Sequence, residues 1–155
     1  MKVVDHSQAR EENTSIRITR EGHWFTGDKK IVNYRVVSHF KQSLFRDAKG
    51  IYVYQTFRQF AEKGYIAVQG PLLSVFRVDQ NEIMLDSLDT LPTATVKIYQ
   101  NTEDEALYLY YERLGCYASI PAAVAPAFGE LLSEDKGVVY FNDKPVTSMA
   151  IIAWS

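Results

Sequence analysis

The chain has 155 residues, 46% of them hydrophobic and 23% charged, which fits an ordinary water-soluble domain able to bury a core without disulfides. Seventeen Lys and Arg against 19 Asp and Glu leave a net charge of −2, so no overall positive field attracts nucleic acid or an anionic membrane. The single cysteine, Cys116, excludes an internal disulfide and a thiolate-rich zinc site.

Residues 1–13 are polar and aperiodic and predict a loose arm, with Val3 and Val4 available to dock as an edge strand. They hold no apolar run or small-residue cleavage site, which predicts a cytoplasmic chain. The longest apolar stretch, residues 120–128, is broken by Pro121 and Pro126 and falls short of the ~20 residues that span a membrane. Residues 14–155 read as a single α+β domain.

Ile16 and Ile18 alternate with Arg17 and Thr19, a half-buried strand. Gly22 turns the chain into a short strand at His23-Trp24-Phe25, and Thr26-Gly27-Asp28 turns it again. Residues 33–47 predict one long helix, because Tyr34, Val37, Phe40, Lys41, Leu44 and Phe45 share one side of a helical wheel. Asn33 suits its N-cap and Gly50 its end. Residues 51–57 and 65–68 are rich in β-branched and aromatic side chains and predict strands, with Gly70-Pro71 as a break. Residues 72–78 and 83–85 continue extended.

Ala94, Val96 and Ile98 alternate with Thr95 and Lys97, and Leu107 and Leu109 alternate with Tyr108 and Tyr110. Asn101-Thr102-Glu103-Asp104 turns one run into the other, giving the clearest hairpin. A short second helix over residues 122–132 has to accommodate Pro126 in its first turn. Residues 138–141 and 146–152 predict a closing hairpin around Asn142-Asp143. Short connections and the absence of βαβ alternation favour mostly antiparallel sheets. An internal echo pairs residues 24–31, from Trp24 to the returning Ile31, with residues 140–146, from Tyr140 to the returning Val146, one residue shorter, either as two ordinary hairpins or as a duplicated strand–turn–strand unit.

From Ile16 onward the chain resembles a bacterial family of unknown function, domain-of-unknown-function family 1285. The likeness rests on Ile16-x-Ile18, Gly22-His23-Trp24-Phe25, Gly27, Ile31, Val37, Phe40, Leu44, Arg46-Asp47, Gly50 and Tyr52, and covers residues 15–78 best. Asn33, Gln55-Thr56 and Gln69-Gly70 depart from its pattern and mark a divergent member. The resemblance implies an α+β fold with repeated units and a part in signalling or ligand sensing, with no established reaction and no catalytic residues.

The chemistry-bearing residues are sparse. His6, His23 and His39 are not paired at metal-ligand spacing, so neither metal nor cofactor is expected. No nucleophile or phosphate-loop motif occurs, and Cys116 in its apolar run reads as a small core residue. Four polar residues, Arg35, His39, Gln42 and Arg46, fall on one side of the expected helix. They read either as a solvated face or as a patch for an anion or acidic partner, since Arg grips carboxylate and phosphate bidentately. His23 sits opposite Trp24 on its strand as a surface or ligand-facing residue.

Tyr52 with Tyr54, and Tyr108 with Tyr110, share strand faces. These rings form either an inner layer covered by the C-terminal segment or an exposed ligand or homodimer surface, with Tyr111 as a further interface candidate. Without accompanying basic residues they do not predict RNA binding. The sequence therefore favours a non-enzymatic regulatory or binding module for a small molecule or protein partner. A self-assembling structural protein is the alternative, and an enzyme without a recognisable motif comes third.

Overall fold

The structure is a computed structural model and describes residues 5–57 and 60–155. The expected docking of Val3 and Val4 lies outside the described residues. In chain order the first strands are β1 (Arg10–Glu11), β2 (Ile16–Ile18), β3 (Trp24–Thr26) and β4 (Lys29–Lys30). Helix α1 (Tyr34–Lys41) follows, then β5 (Leu44–Asp47), β6 (Gly50–Phe57), β7 (Phe60–Tyr65) and β8 (Ala67–Val68). A middle segment holds β9 (Leu73–Val78), β10 (Glu82–Leu85), β11 (Thr90–Pro92) and a 3-10 turn at Thr93–Thr95. The last part contains β12 (Lys97–Asn101), β13 (Leu107–Tyr111), β14 (Cys116–Ser119) and helix α2 (Ala125–Gly129). It closes with β15 (Leu132–Asp135), β16 (Val138–Phe141), β17 (Lys144–Pro145) and β18 (Thr147–Met149).

The sheets reveal a duplication. One four-stranded sheet runs β4-β3-β2-β8, and one end of the seven-stranded sheet runs β14-β13-β12-β18 in the same order. In both, the last strand returns parallel to the first of its hairpin, after a helix and a meander. The meanders also correspond, β5-β6-β7 to β15-β16-β17. Leu44 lies opposite Val53 and Asp47 opposite Gly50; Leu132 lies opposite Phe141 and Asp135 opposite Val138. Each partner is shifted by 88 positions (132 − 44, 141 − 53), so the two hairpins share one register. The middle segment extends the second sheet through β9, which pairs parallel with β14.

Several expectations are corrected. The echo aligned β3–β4 with β16–β17, whereas the sheet order matches β3–β4 to β13–β14 and β16–β17 to β6–β7. An aromatic pair before an Asp-containing turn is common to many hairpins and does not fix the alignment. The sheets are mixed, because β1, β8, β9 and β18 each make a parallel pairing.

The helix expected over residues 33–47 stops at Lys41. Asn33 caps it as expected, accepting from Arg35 N at 3.0 Å. Beyond Gln42, however, Leu44–Asp47 finds a partner strand in residues 50–53, and this non-local pairing overrides the helical pattern. Tyr34 is 73% exposed rather than part of an apolar helix face. Helix α2 is shorter than residues 122–132 and carries Pro126 in its first turn. Residues 93–95 form the 3-10 turn, so the strand of the central hairpin begins at Lys97. The closing hairpin ends at Pro145, and the next strand joins β12 instead. Asn142 and Asp143 turn it with φ of 48° and 66°.

The main core draws on both copies and the middle segment, with Ile18, Leu72, Ile83, Leu109, Leu114 and Cys116 fully buried. A second cluster joins Tyr108, Tyr117, Ile151 and Trp154 on the other face of the large sheet.

Candidate functional site

Of the eight exposed large apolar side chains among the described residues, four lie close together: Val32 at 83% exposure, Tyr34 at 73%, Phe76 at 63% and Leu88 at 57%. All four line one cleft of about 610 Å³. Its first wall is built from β3, β4 and α1, its second from β9 and the turn after β10. On β9 the alternation that buries Leu73 and Val75 leaves Phe76 on the outer face. Leu88 sits in that turn at φ +72°, a left-handed conformation that costs a branched residue about 1 kcal/mol or more. The turn is held by Leu88 N donating to Leu85 O at 2.9 Å and Leu85 N donating to Asp89 O at 2.8 Å.

An ion pair clasps the two walls. Lys41 at the end of α1 pairs with Asp86 Oδ2, and the Ser74 amide donates to Asp86 Oδ1 at 2.9 Å. Trp24 also lines the cleft and is 2% exposed; its Nε1 donor is buried without a partner among the described residues. An unmet buried donor costs about 1–3 kcal/mol. His23 and Lys30 are exposed at the rim.

No protein-family model matches the sequence, and no curated protein matches it. Among solved structures, a DUF1285 family protein from Silicibacter pomeroyi DSS-3 superposes with a TM-score of 0.63 at 18% identity, over 92% of this chain and 84% of that one. A DUF1285 family protein from Shewanella baltica OS155 gives 0.51 at 15% identity, over 74% of this chain and 90% of that one. The chain has the DUF1285 fold. The resemblance read at residues 15–78 thus extends, as a backbone path, through most of the chain.

On this DUF1285 fold the residues singled out from sequence are dispersed. His23 is the one that lies in the cleft. Arg35, His39 and Gln42 are exposed on or just after α1, but Arg46 has moved to β5, where its Nε donates to Leu114 O at 2.6 Å. The expected four-residue helix face is therefore not formed. His39 and Gln42 instead share a smaller hollow of about 400 Å³ with Phe45 and Tyr54.

The tyrosine rows are covered by the chain's own ends. His6 stacks on Tyr54 with ring centroids 3.6 Å apart, and its Nδ1 lies 2.9 Å from the Tyr52 hydroxyl. Tyr108 is buried with its ring edge against Trp154, and it donates to Asp104 at 2.6 Å. Tyr110 is half-buried beside Tyr99 and Tyr117. Tyr111 faces the main core, its hydroxyl accepting from Arg113 Nε at 2.7 Å. Internal packing thus takes up Tyr52, Tyr108 and Tyr111, while Tyr54 and Tyr110 stay half-buried.

Cys116 is fully buried, and burial pushes its thiol up to about 12, far from a nucleophile's range. Among the described residues no group of three or more His, Cys, Asp or Glu is arranged to hold a metal, and no helix is long and apolar enough to cross a membrane. Sequence reading missed the cleft itself. The available signal was Phe76, a large apolar residue out of step with the inward-facing Leu73 and Val75.

Proposed function

We propose that this chain is a non-enzymatic binding module and that the cleft between α1 and the β9–β10 hairpin is its ligand site. The carrying observation is the convergence of Val32, Tyr34, Phe76 and Leu88, all exposed, on one concavity. Isolated exposed apolar residues are ordinary, whereas several facing one hollow favour a ligand that buries them, at about 1.5–3 kcal/mol for each side chain fully covered. A volume of about 610 Å³ is that of a small-molecule site. Because the walls belong to different parts of the chain and are joined by Lys41 and Asp86, occupancy would change how firmly they are held together, which suits a sensing or signalling role. The single buried thiol suits a reducing cytoplasm.

A thermal-shift screen against metabolites tests this reading. A ligand raises the melting temperature of the parent protein by mass action and loses that effect in Phe76→Ser. Ligands whose stabilisation survives Phe76→Ser would place the site elsewhere. A second reading, a homodimer formed through the same rim, would bury the same exposed side chains of Val32, Tyr34, Phe76 and Leu88. Sedimentation at micromolar concentration separates the two, since only the dimer reading expects a doubled mass in the absence of ligand.

A further inference from the structure

We infer that the cleft takes an organic anion with an apolar body, such as an aryl or acyl carboxylate. This inference rests on the reading of the cleft as the binding site. It follows from which polar groups the fold has already used. Asp86 contributes the only carboxylate of the cleft lining, and both its oxygens are engaged, one by Lys41 and one by the Ser74 amide. Lys30, exposed on β4, has no ion-pair partner among the described residues. Lys30, Lys41 and Asp86 together leave one positive charge in excess.

The uncharged groups point the same way. Ser38 Oγ lies 3.2 Å from Gln42 Nε2 and accepts from it, so its own proton remains to be donated. The Tyr34 hydroxyl accepts from Arg35 Nε at 3.4 Å and likewise retains a proton. Trp24 Nε1 can only donate, and is buried without an acceptor among the described residues. The Ser38 and Tyr34 hydroxyls thus keep protons to donate beside the uncompensated Lys30 charge, an arrangement that a carboxylate, sulfonate or phosphate oxygen would satisfy. Phe76 and Leu88 on the opposite wall offer the surface for the apolar body.

The test compares 1-naphthaleneacetate with its neutral isostere 1-naphthaleneacetamide on the full chain, following the indole N–H signals by NMR titration. Loss of a signal in Trp24→Phe assigns the reporter. The carboxylate should bind at least about tenfold more tightly, and Lys30→Gln should remove that advantage while leaving the amide unchanged. Phe76→Ser, at a side chain 63% exposed, should weaken both without lowering the melting temperature of the free protein. Equal binding of the two probes that Lys30→Gln does not alter would overturn the anion class while keeping the cleft as a site. Binding that survives Phe76→Ser, or no binding of either probe at millimolar concentration, would overturn both. A dimer that Phe76→Ser dissociates would identify the rim as a subunit interface and overturn both as well.

Discussion

Arg20 and Asp104 form an ion pair between two equivalent turns, the one after β2 and the one after β12. The pair stitches the duplicated halves together at corresponding points. Tyr108 donates to the same carboxylate at 2.6 Å, and the Arg20 guanidinium lies 4.5 Å above the Trp154 ring, so the C-terminal segment is held in the same cluster. Burial alone would raise the Asp104 carboxyl; hydrogen bonds from Tyr108 and the Ala106 amide, with Arg20, outweigh it and hold the group below the usual carboxylate range.

Both partners are about one-third exposed, which keeps the pair's contribution modest. A double-mutant cycle of Arg20→Ala and Asp104→Ala in denaturant melts should give a coupling of about 0.5–1 kcal/mol. A depressed carboxylate stabilises the fold above its unfolded value and loses that effect as pH falls through the folded one. The coupling should therefore be complete above about pH 5 and fade below about pH 4. A coupling unchanged at pH 3 would show that charge is not its source.

Two glycines mark places where backbone segments approach closely, and they should respond differently to alanine. A Cβ on Gly70 would lie 2.1 Å from Thr19 O and 2.8 Å from Arg20 Cα, all backbone of the neighbouring segment. Gly70→Ala should cost about 3 kcal/mol or more, with no simple second-site rescue. A Cβ on Gly64 would lie 2.1 Å from the Thr14 methyl. Gly64→Ala should cost about 1–3 kcal/mol, and Thr14→Ser, which removes that methyl and keeps the hydroxyl, should recover most of it. Thermal melts of the two single variants and the double variant measure both effects.

Leu44 illustrates how much the sequence discloses. Its burial was legible, and it is 1% exposed, but a helical wheel and a strand alternation both place it inward. Only its pairing with Val53, decided by distant contacts, selects the strand. The β12–β13 hairpin was easier, since Ile98 and Leu109 lie opposite each other on one face and a polar turn separates them. The cleft was not legible, because Trp24, Lys41 and Phe76 come from three separate elements, Asp86 from the turn after β10, and they carry no shared spacing. The basic face of the expected helix vanished for the same reason that Leu44 changed element: Arg46 followed the strand.

His6 anchors the N-terminal arm against Phe45, Tyr52 and Tyr54. Burial pushes its imidazole below the usual histidine range; Lys63, over the Tyr52 ring at 5.2 Å, adds to this and Asp5 opposes it. The folded state therefore favours neutral His6. Its docking contributes fully above the unfolded value of about 6.5 and is lost as pH falls through the lower folded value. Between about pH 7.5 and pH 5 the parent protein should lose more thermal stability than His6→Phe, which keeps an aromatic ring but cannot ionise. Equal losses in the two proteins would rule out His6 as the titrating group.

Cys116 gives a reporter of global opening. Its side chain is fully buried on β14 between the two halves of the large sheet, and burial pushes the thiol up to about 12. The nearby guanidinium groups of Arg46 and Arg113 oppose that shift without reversing it. Two barriers therefore protect it from alkylation, the absence of solvent contact and the scarcity of thiolate at neutral pH. In the native protein iodoacetamide should modify Cys116 only through unfolding, so its rate should rise with denaturant in step with the unfolded fraction. An unfolded thiol, at about 8.5, should react within the ordinary range for a free cysteine. Rapid labelling of the folded chain at low denaturant, before any change in circular dichroism, would instead reveal a local opening of β13 and β14. That outcome would separate the stability of this part of the sheet from that of the rest of the fold.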